Sequence, residues 1–201
     1  MFTALQALLN TWAVSFDLPI LDWIQAHLQC GFLDTVMPII TLFGDGGVFW
    51  IAVAVVLLFF AKYRKTGFSM GMALVLGLLV CNIFLKPQVA RIRPYDFQLQ
   101  EFGKEITLLI SAQHDFSFPS GHTIASFEAC TVLMLHDKRL GIPATILAIL
   151  IAFSRLYLYV HYPTDVLVSL VLGILFGLLG SFLVDLIYKK KVYSGKYSLD
   201  D

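Results

Sequence analysis

Charge is the scarcest property of this sequence. Its 201 residues include 14 Lys or Arg and 14 Asp or Glu, so 14% are charged where a soluble domain averages about a quarter. The formal net charge is zero, and without a basic excess a nucleic-acid partner is not expected. Only three cysteines occur, Cys30, Cys81 and Cys130, too few and too scattered for a disulfide-stapled secreted domain. No Lys or Arg precedes Lys62, so the basic start of a cleavable signal peptide is missing and the spans themselves are expected to direct insertion. Internal repeats and low-complexity tracts are also missing. What the sequence does contain is apolar: 58% hydrophobic residues and a mean hydropathy of +0.80 exclude disorder and leave an integral membrane protein.

The pattern predicts an all-α, polytopic membrane helix bundle forming a single domain over residues 1–201. A crossing needs about 20 mostly apolar residues. Five spans are expected, near 46–62, 67–86, 121–135, 141–160 and 163–187, with a sixth near the N-terminus between 20 and 43. The 121–135 span is the least hydropathic, because it is short and carries Glu128. Residues 1–30 are interrupted by Pro19, and Trp12, Phe16 and Trp23 stand beside Asp17 and Asp22; this reads as an interfacial segment. Residues 87–120 form the one long polar loop, and residues 189–201 form a polar tail. Nine cations (Lys62, Arg64, Lys65, Lys138, Arg139, Lys189, Lys190, Lys191 and Lys196) fall at one set of span ends. Five (Lys86, Arg91, Arg93, Lys104 and Arg155) fall at the other. The bias places the first set in the cytoplasm and the 87–120 loop on the outer face.

Three segments converge on that outer face: Lys86 to Pro94, Pro119 to His122, and Ser154 to Asp165. Lys86, Arg93 and Arg155 would repel one another unless an anion lay between them. Arginine's fork and lysine's point charge both suit a phosphoryl group. Ser120 and Gly121 open a helix, whose first N–H groups and dipole also favour an anion. His161 is followed four residues later by Asp165, with Pro163 starting the helix between them. A carboxylate on one ring nitrogen fixes the tautomer and leaves the other as a nucleophile. His122 is then the general acid for the leaving oxygen, and the cations stabilise the transition state. The scheme needs no metal or cofactor, and the Asp, Glu and His clusters of a two-metal site are missing.

These segments resemble the signature of the type 2 phosphatidic acid phosphatase superfamily: Lys-x6-Arg-Pro, Pro-Ser-Gly-His and Ser-Arg-x5-His-x3-Asp. All eleven specified positions are present, in order and correctly spaced. The resemblance implies metal-independent hydrolysis of a phosphate or diphosphate ester through a phosphohistidine. By position, His161 is the nucleophile, Asp165 its orienter and His122 the acid, while Lys86, Arg93, Ser120, Gly121 and Arg155 hold the phosphate. Ser154 matches the motif without an evident role.

The implied substrate is a lipid phosphate or diphosphate: phosphatidate, phosphatidylglycerol phosphate or a polyprenyl diphosphate such as undecaprenyl diphosphate. The outward site and small loop favour the polyprenyl diphosphate and a bacterial plasma membrane. A lipid phosphotransferase using the same site is the alternative. A transporter or non-catalytic scaffold explains the spans but not the His-Asp and cation set. Several polar residues have plainer readings. Arg91 reads as an interfacial anchor or headgroup contact, and Asp45 as part of a Gly-Asp-Gly turn. Glu128 reads as a carboxyl holding two helices together, with Asn82 sharing the polar pocket of Lys86. Asp185 and Lys189 are spaced as an ion pair. His27, His114 and His136 read as structural, and Gly173, Gly177 and Gly180 as close-packing positions.

Overall fold

A computed structural model describes residues 2–193, and every regular element among them is helical. An unbroken helical run opens the chain: α1 (Phe2–Trp12), a π-helical stretch and α2 (Leu18–Leu28). Pro19 sits in the first turn of α2, where its missing N–H costs nothing, so it does not break the run. Then follow α3 (Gly31–Leu42), α4 (Val48–Leu58), α5 (Arg64–Gly77), the four-residue α6 (Lys86–Val89) and α7 (Pro94–Phe102). The chain closes with α8 (Gly121–His136), α9 (Lys138–Tyr157) and α10 (Pro163–Tyr193). Residues 194–201, most of the expected tail, lie outside the described residues.

Helix α8 is central, packed by α5, α9 and α10. Most of its side chains are buried, including Phe127, Glu128, Ala129 and Val132. Its neighbours present apolar side chains outward, such as Val55, Phe68, Val75, Ile146, Leu175 and Phe182, a surface that only lipid covers well. That explains why α8 is both polar and short. At 16 residues it is about 24 Å long, and protein rather than lipid surrounds it. Four helical stretches are long and apolar enough to cross a membrane: Gly31–Leu58, Ala61–Phe102, Lys138–Tyr157 and Pro163–Lys190. The first joins α3 to α4 across a bend where Gly46 (φ 57°) and Gly47 (φ 67°) turn left-handed.

Glycine sets the spacing of the inner helices. A Cβ at Gly173 would meet the Ile124 carbonyl at 2.9 Å, and one at Gly180 would meet the Ala73 nitrogen at 2.8 Å. The expected close packing by these glycines is therefore internal, of α10 against α8 and α5. Lys65 pairs with Asp185 at 2.7 Å, in place of the expected Asp185–Lys189 pair. The Tyr63 hydroxyl donates to Asp137 at 3.1 Å. These contacts gather the basic ends of α5, α9 and α10 at one end of the bundle.

Residues 2–43 cover the opposite end. Gln25 donates to the Tyr157 carbonyl at 2.8 Å, the Tyr157 hydroxyl donates to Asp34 at 2.6 Å, and Arg155 donates to Thr41 at 2.6 Å. Leu21, Ile24 and Met37 pack with Tyr157, Tyr159 and Tyr162 in a second core. Trp12, Phe16 and Trp23 remain about half exposed. Asp17, however, is fully buried rather than facing headgroups.

Candidate active site

The first signature segment is placed by a change of helix type. Helix α5 widens into a π-helical stretch over Leu78–Leu85 before α6, and Leu78, Asn82 and Lys86 line one cavity wall. Ala90 adopts φ 48°, which ends α6, and the chain runs without regular structure to an extended Arg93 before α7. Arg93 lines the cavity, whereas Arg91 does not and is bonded behind it to Asp17 and Asp165.

The second segment starts α8. The Ser120 hydroxyl caps the helix, accepting from the Thr123 hydroxyl at 3.0 Å, and the Ser120 N–H donates to Ser169 at 2.8 Å. Ser120 is therefore occupied in fixing the helix start and does not line the cavity. Gly121 and His122 do line it, and their N–H groups precede the first intrahelical bond. A Cβ on Gly121 would come within 3.3 Å of the Asn82 amide.

The third segment is a turn between α9 and α10. Tyr159 takes φ 59°, and the Val160 and His161 N–H groups return to the Arg155 carbonyl at 3.2 and 3.4 Å. Asp165 is the third residue of α10 and accepts from the Tyr162 N–H at 3.1 Å, as in a capping box. This is the physical content of the His-x3-Asp spacing: the helix start holds the carboxylate beside the imidazole. Ser154 bonds back to the Ile151 carbonyl at 2.6 Å and is part of the helix wall.

The three segments meet at a cavity of about 500 Å³, lined by Lys86, Arg93, Asp115, His122, Arg155 and His161 among others. Arg155 is buried and donates one bond to Thr41, while its Nε and Nη2 have no protein partner. Unpaired buried guanidinium N–H groups are costly, and an anion is the group that would satisfy them. Lys86 and Arg93 are engaged by Asp115, whose carboxylate lies 2.5 Å from each. Burial pushes the Asp115 carboxyl up, but Lys86 and Arg93 together hold it well below the usual carboxylate range. Arg93 also donates to the Val160 carbonyl at 2.7 Å and lies 3.4 Å from His161 Nε2. Burial holds the His161 imidazole well below its ordinary value, and Arg93, Arg155 and Lys86 add to the effect. His161 Nδ1 is 3.6 Å from Asp165, close but beyond hydrogen-bond distance.

All eight expected site residues lie at this end of the bundle, and all but Ser120 and Asp165 line the cavity itself. Three other residues depart from their sequence readings. Asp45 is 2.7 Å from His122 Nε2, so it supports that ring and is more than a turn residue. Gly44 makes room for the contact, since a Cβ there would lie 2.6 Å from the His122 ring. Arg91 is no interfacial anchor: it is 1% exposed and bonded to Asp17 and Asp165 at 2.7 and 2.5 Å. Glu128 lines the cavity as well as packing α8 against α5 in a notch at Gly77, and its Oε1 has no hydrogen-bond partner. The signals for Asp45 and Arg91 were present as a charge in an outer turn and an Arg-x-Arg pair, but their partners are remote in sequence.

A helical bundle with an apolar outer face, and three cations around two histidines at one end, defines an integral membrane phosphatase. Residues 66–188 match the PAP2 superfamily. The chain is 33% identical over 146 residues to the undecaprenyl-diphosphatase of Sulfolobus acidocaldarius, covering 72% of this chain and 68% of that one. It is 30% identical over 151 residues to the undecaprenyl-diphosphatase BcrC of Bacillus subtilis, covering 73% and 72%. Its structure resembles the crystal structure of the first transmembrane PAP2-type phosphatidylglycerolphosphate phosphatase from Bacillus subtilis, with a TM-score of 0.69 at 29% identity, covering 94% of this chain and 92% of that one. The chain belongs to the PAP2 superfamily.

Proposed function

We propose that this protein hydrolyses the terminal phosphate of a membrane lipid diphosphate, a polyprenyl diphosphate in particular, with His161 as nucleophile. The observation that carries the reading is Arg155: its two unpaired buried donor atoms, with Lys86 and Arg93, surround the space in front of His161 Nε2. Asp115 moves aside as the phosphate takes Lys86 and Arg93. Nε2 attacks phosphorus, and the bond from phosphorus to the lipid-side oxygen breaks. His122 gives that oxygen its proton, and Asp45 stabilises the ring. The three cations and the Gly121 and His122 N–H groups hold the equatorial oxygens. Water then attacks the phosphohistidine, His122 takes its proton, and inorganic phosphate leaves.

The 3.6 Å gap from Asp165 to Nδ1 closes as positive charge develops on the ring; hydrogen bonds of this kind are often long before substrate binds. Both undecaprenyl-diphosphatase relatives support the polyprenyl assignment. The basic ends of α5, α9 and α10 lie away from the site, which supports a non-cytoplasmic catalytic face in a bacterial plasma membrane. The bonds of Leu9, Asp17, Gln25, Asp34 and Thr41 to the site end support five crossings, with the N-terminal segment lying along the surface. The test is phosphate release by purified protein from polyprenyl diphosphate, phosphatidate and phosphatidylglycerol phosphate, with His161→Ala as control. Highest kcat/KM on the polyprenyl diphosphate is expected. Preference for a glycerolipid would overturn the substrate, and turnover by His161→Ala would overturn the mechanism.

A further inference from the structure

Behind the catalytic carboxylate lies a buried chain of charge, of which two members, Asp17 and Arg91, are not positions the signature specifies. Asp17, Arg91 and Asp165 have fully buried side chains. Asp17 accepts from the Thr164 N–H at 2.9 Å, from the Thr164 hydroxyl at 2.7 Å and from Arg91 at 2.7 Å. Arg91 donates through its other terminal nitrogen to Asp165 at 2.5 Å and to the Thr164 hydroxyl at 2.8 Å. It also donates to the Leu9 carbonyl at 3.0 Å, and its guanidinium lies 3.6 Å from the centre of the Tyr162 ring. Asp165 receives further bonds from the Ser117 hydroxyl and the Tyr162 N–H.

Burying three charges is expensive, and a buried ion pair is weak evidence of stability compared with apolar packing. Such a chain does hold a carboxylate in one orientation. Arg91 takes Asp165 Oδ1, and Ser117 and the Tyr162 N–H take Oδ2, the oxygen that faces His161. Without Arg91, two buried carboxylates would be left without the cation between them. The outer anchor of the chain, Asp17, comes from the helical run over the site end and lies outside residues 66–188, the part that matches the superfamily.

We infer that Arg91 and Asp17 are positioning residues for the reaction: the N-terminal helix reaches through Arg91 to set the Asp165 carboxylate, and through it the imidazole of His161. The inference rests on the reading of His161 as nucleophile. Neither residue touches the phosphate, so both act on the chemical step and not on anion binding. Misplacement of a catalytic group by about 1 Å costs on the order of 100-fold in rate.

The test uses full-length protein in detergent, with Asp17→Asn, Arg91→Lys, Arg91→Met and Asp165→Asn measured alone, and Asp17→Asn also combined with Asp165→Asn. Asp17→Asn is expected to lower kcat by about 10- to 100-fold while KM and inhibition by orthovanadate stay within about twofold. Arg91→Lys is expected to retain more kcat than Arg91→Met. In the Asp165→Asn background, Asp17→Asn is expected to cost less than about twofold, because its route to the ring is already lost. Additive losses, or a rise in KM and a loss of vanadate affinity accompanying the fall in kcat, would overturn the positioning role. If Arg91→Met is poorly folded, the Asp17→Asn results decide. Inactive His161→Ala beside fully active Asp17→Asn and Arg91→Lys would refute this inference alone, whereas active His161→Ala would refute the reading beneath it.

Discussion

Replacing Asp115 with Asn should make the protein bind its substrate more tightly. In the structure the Asp115 carboxylate sits where a phosphate is needed, 2.5 Å from both Lys86 and Arg93. Substrate must displace it, so part of the intrinsic affinity is spent opening the site. The Asp115 side chain is 55% exposed, so solvent screens the two bridges, each worth about 0.5–1 kcal/mol. Together they hold the site closed by about 1–2 kcal/mol, which corresponds to an apparent affinity about 5- to 30-fold weaker than that of the open site. Asp115→Asn should lower KM and the inhibition constant of inorganic phosphate by about that factor. The assay is steady-state phosphate release with phosphate as competitor. Because Asp115 stays ionised well below the ordinary carboxylate range, the wild-type handicap should persist at mildly acidic pH. An unchanged or raised KM would refute the reasoning and would mean that Asp115 orients the cations during turnover.

Four further outcomes follow from the same geometry. His161 has its pKa depressed, so the neutral nucleophile survives below the ordinary value of 6.5 and is lost only as pH falls toward the folded-state value. The acid limb of kcat/KM should therefore lie below pH 6.5, and a limb at or above it would contradict the assignment. Asp45→Asn should reduce kcat more than KM, since it removes the partner of His122 at 2.7 Å; equal kcat in a single-turnover assay would count against His122 as the acid. Gly77→Ala would place a Cβ 1.9 Å from Glu128 Oε1 and should destabilise the protein by about 1–3 kcal/mol in thermal unfolding. Glu128→Gln alone should fold normally and change activity less than about tenfold, and complete inactivity would give the carboxyl a catalytic part.

The membrane class, the later helices and the convergence of the three signature segments were legible because each depends on local signals. These were apolar runs, helix-start chemistry at Ser120 and Pro163, and cations at span ends. The bundle's central helix was harder to read, since α8 is shielded by protein and its composition does not report a lipid contact. Asp17, Asp45 and Arg91 were missed for a different reason. The partners of Asp17 and Arg91 stand 74 residues apart, and those of Asp45 and His122 stand 77 apart. An i, i+2 pair would share one face of a regular strand, yet Arg91 lies away from Arg93 and the cavity, against the N-terminal helix and α10 rather than water. Ser120 illustrates the converse, as a motif position whose polar atoms are consumed by the fold.

The central claim is that phosphate passes through His161, and trapping the intermediate tests it most directly. Purified protein is mixed with substrate labelled in its terminal phosphate, quenched in alkali within milliseconds and digested, and the label is mapped. Wild type should carry an acid-labile, base-stable phosphoryl group on His161. None should form in His161→Ala, and the group should accumulate in His122→Ala with a substrate whose leaving oxygen needs no proton. Label on any other residue, or turnover by His161→Ala, would contradict it.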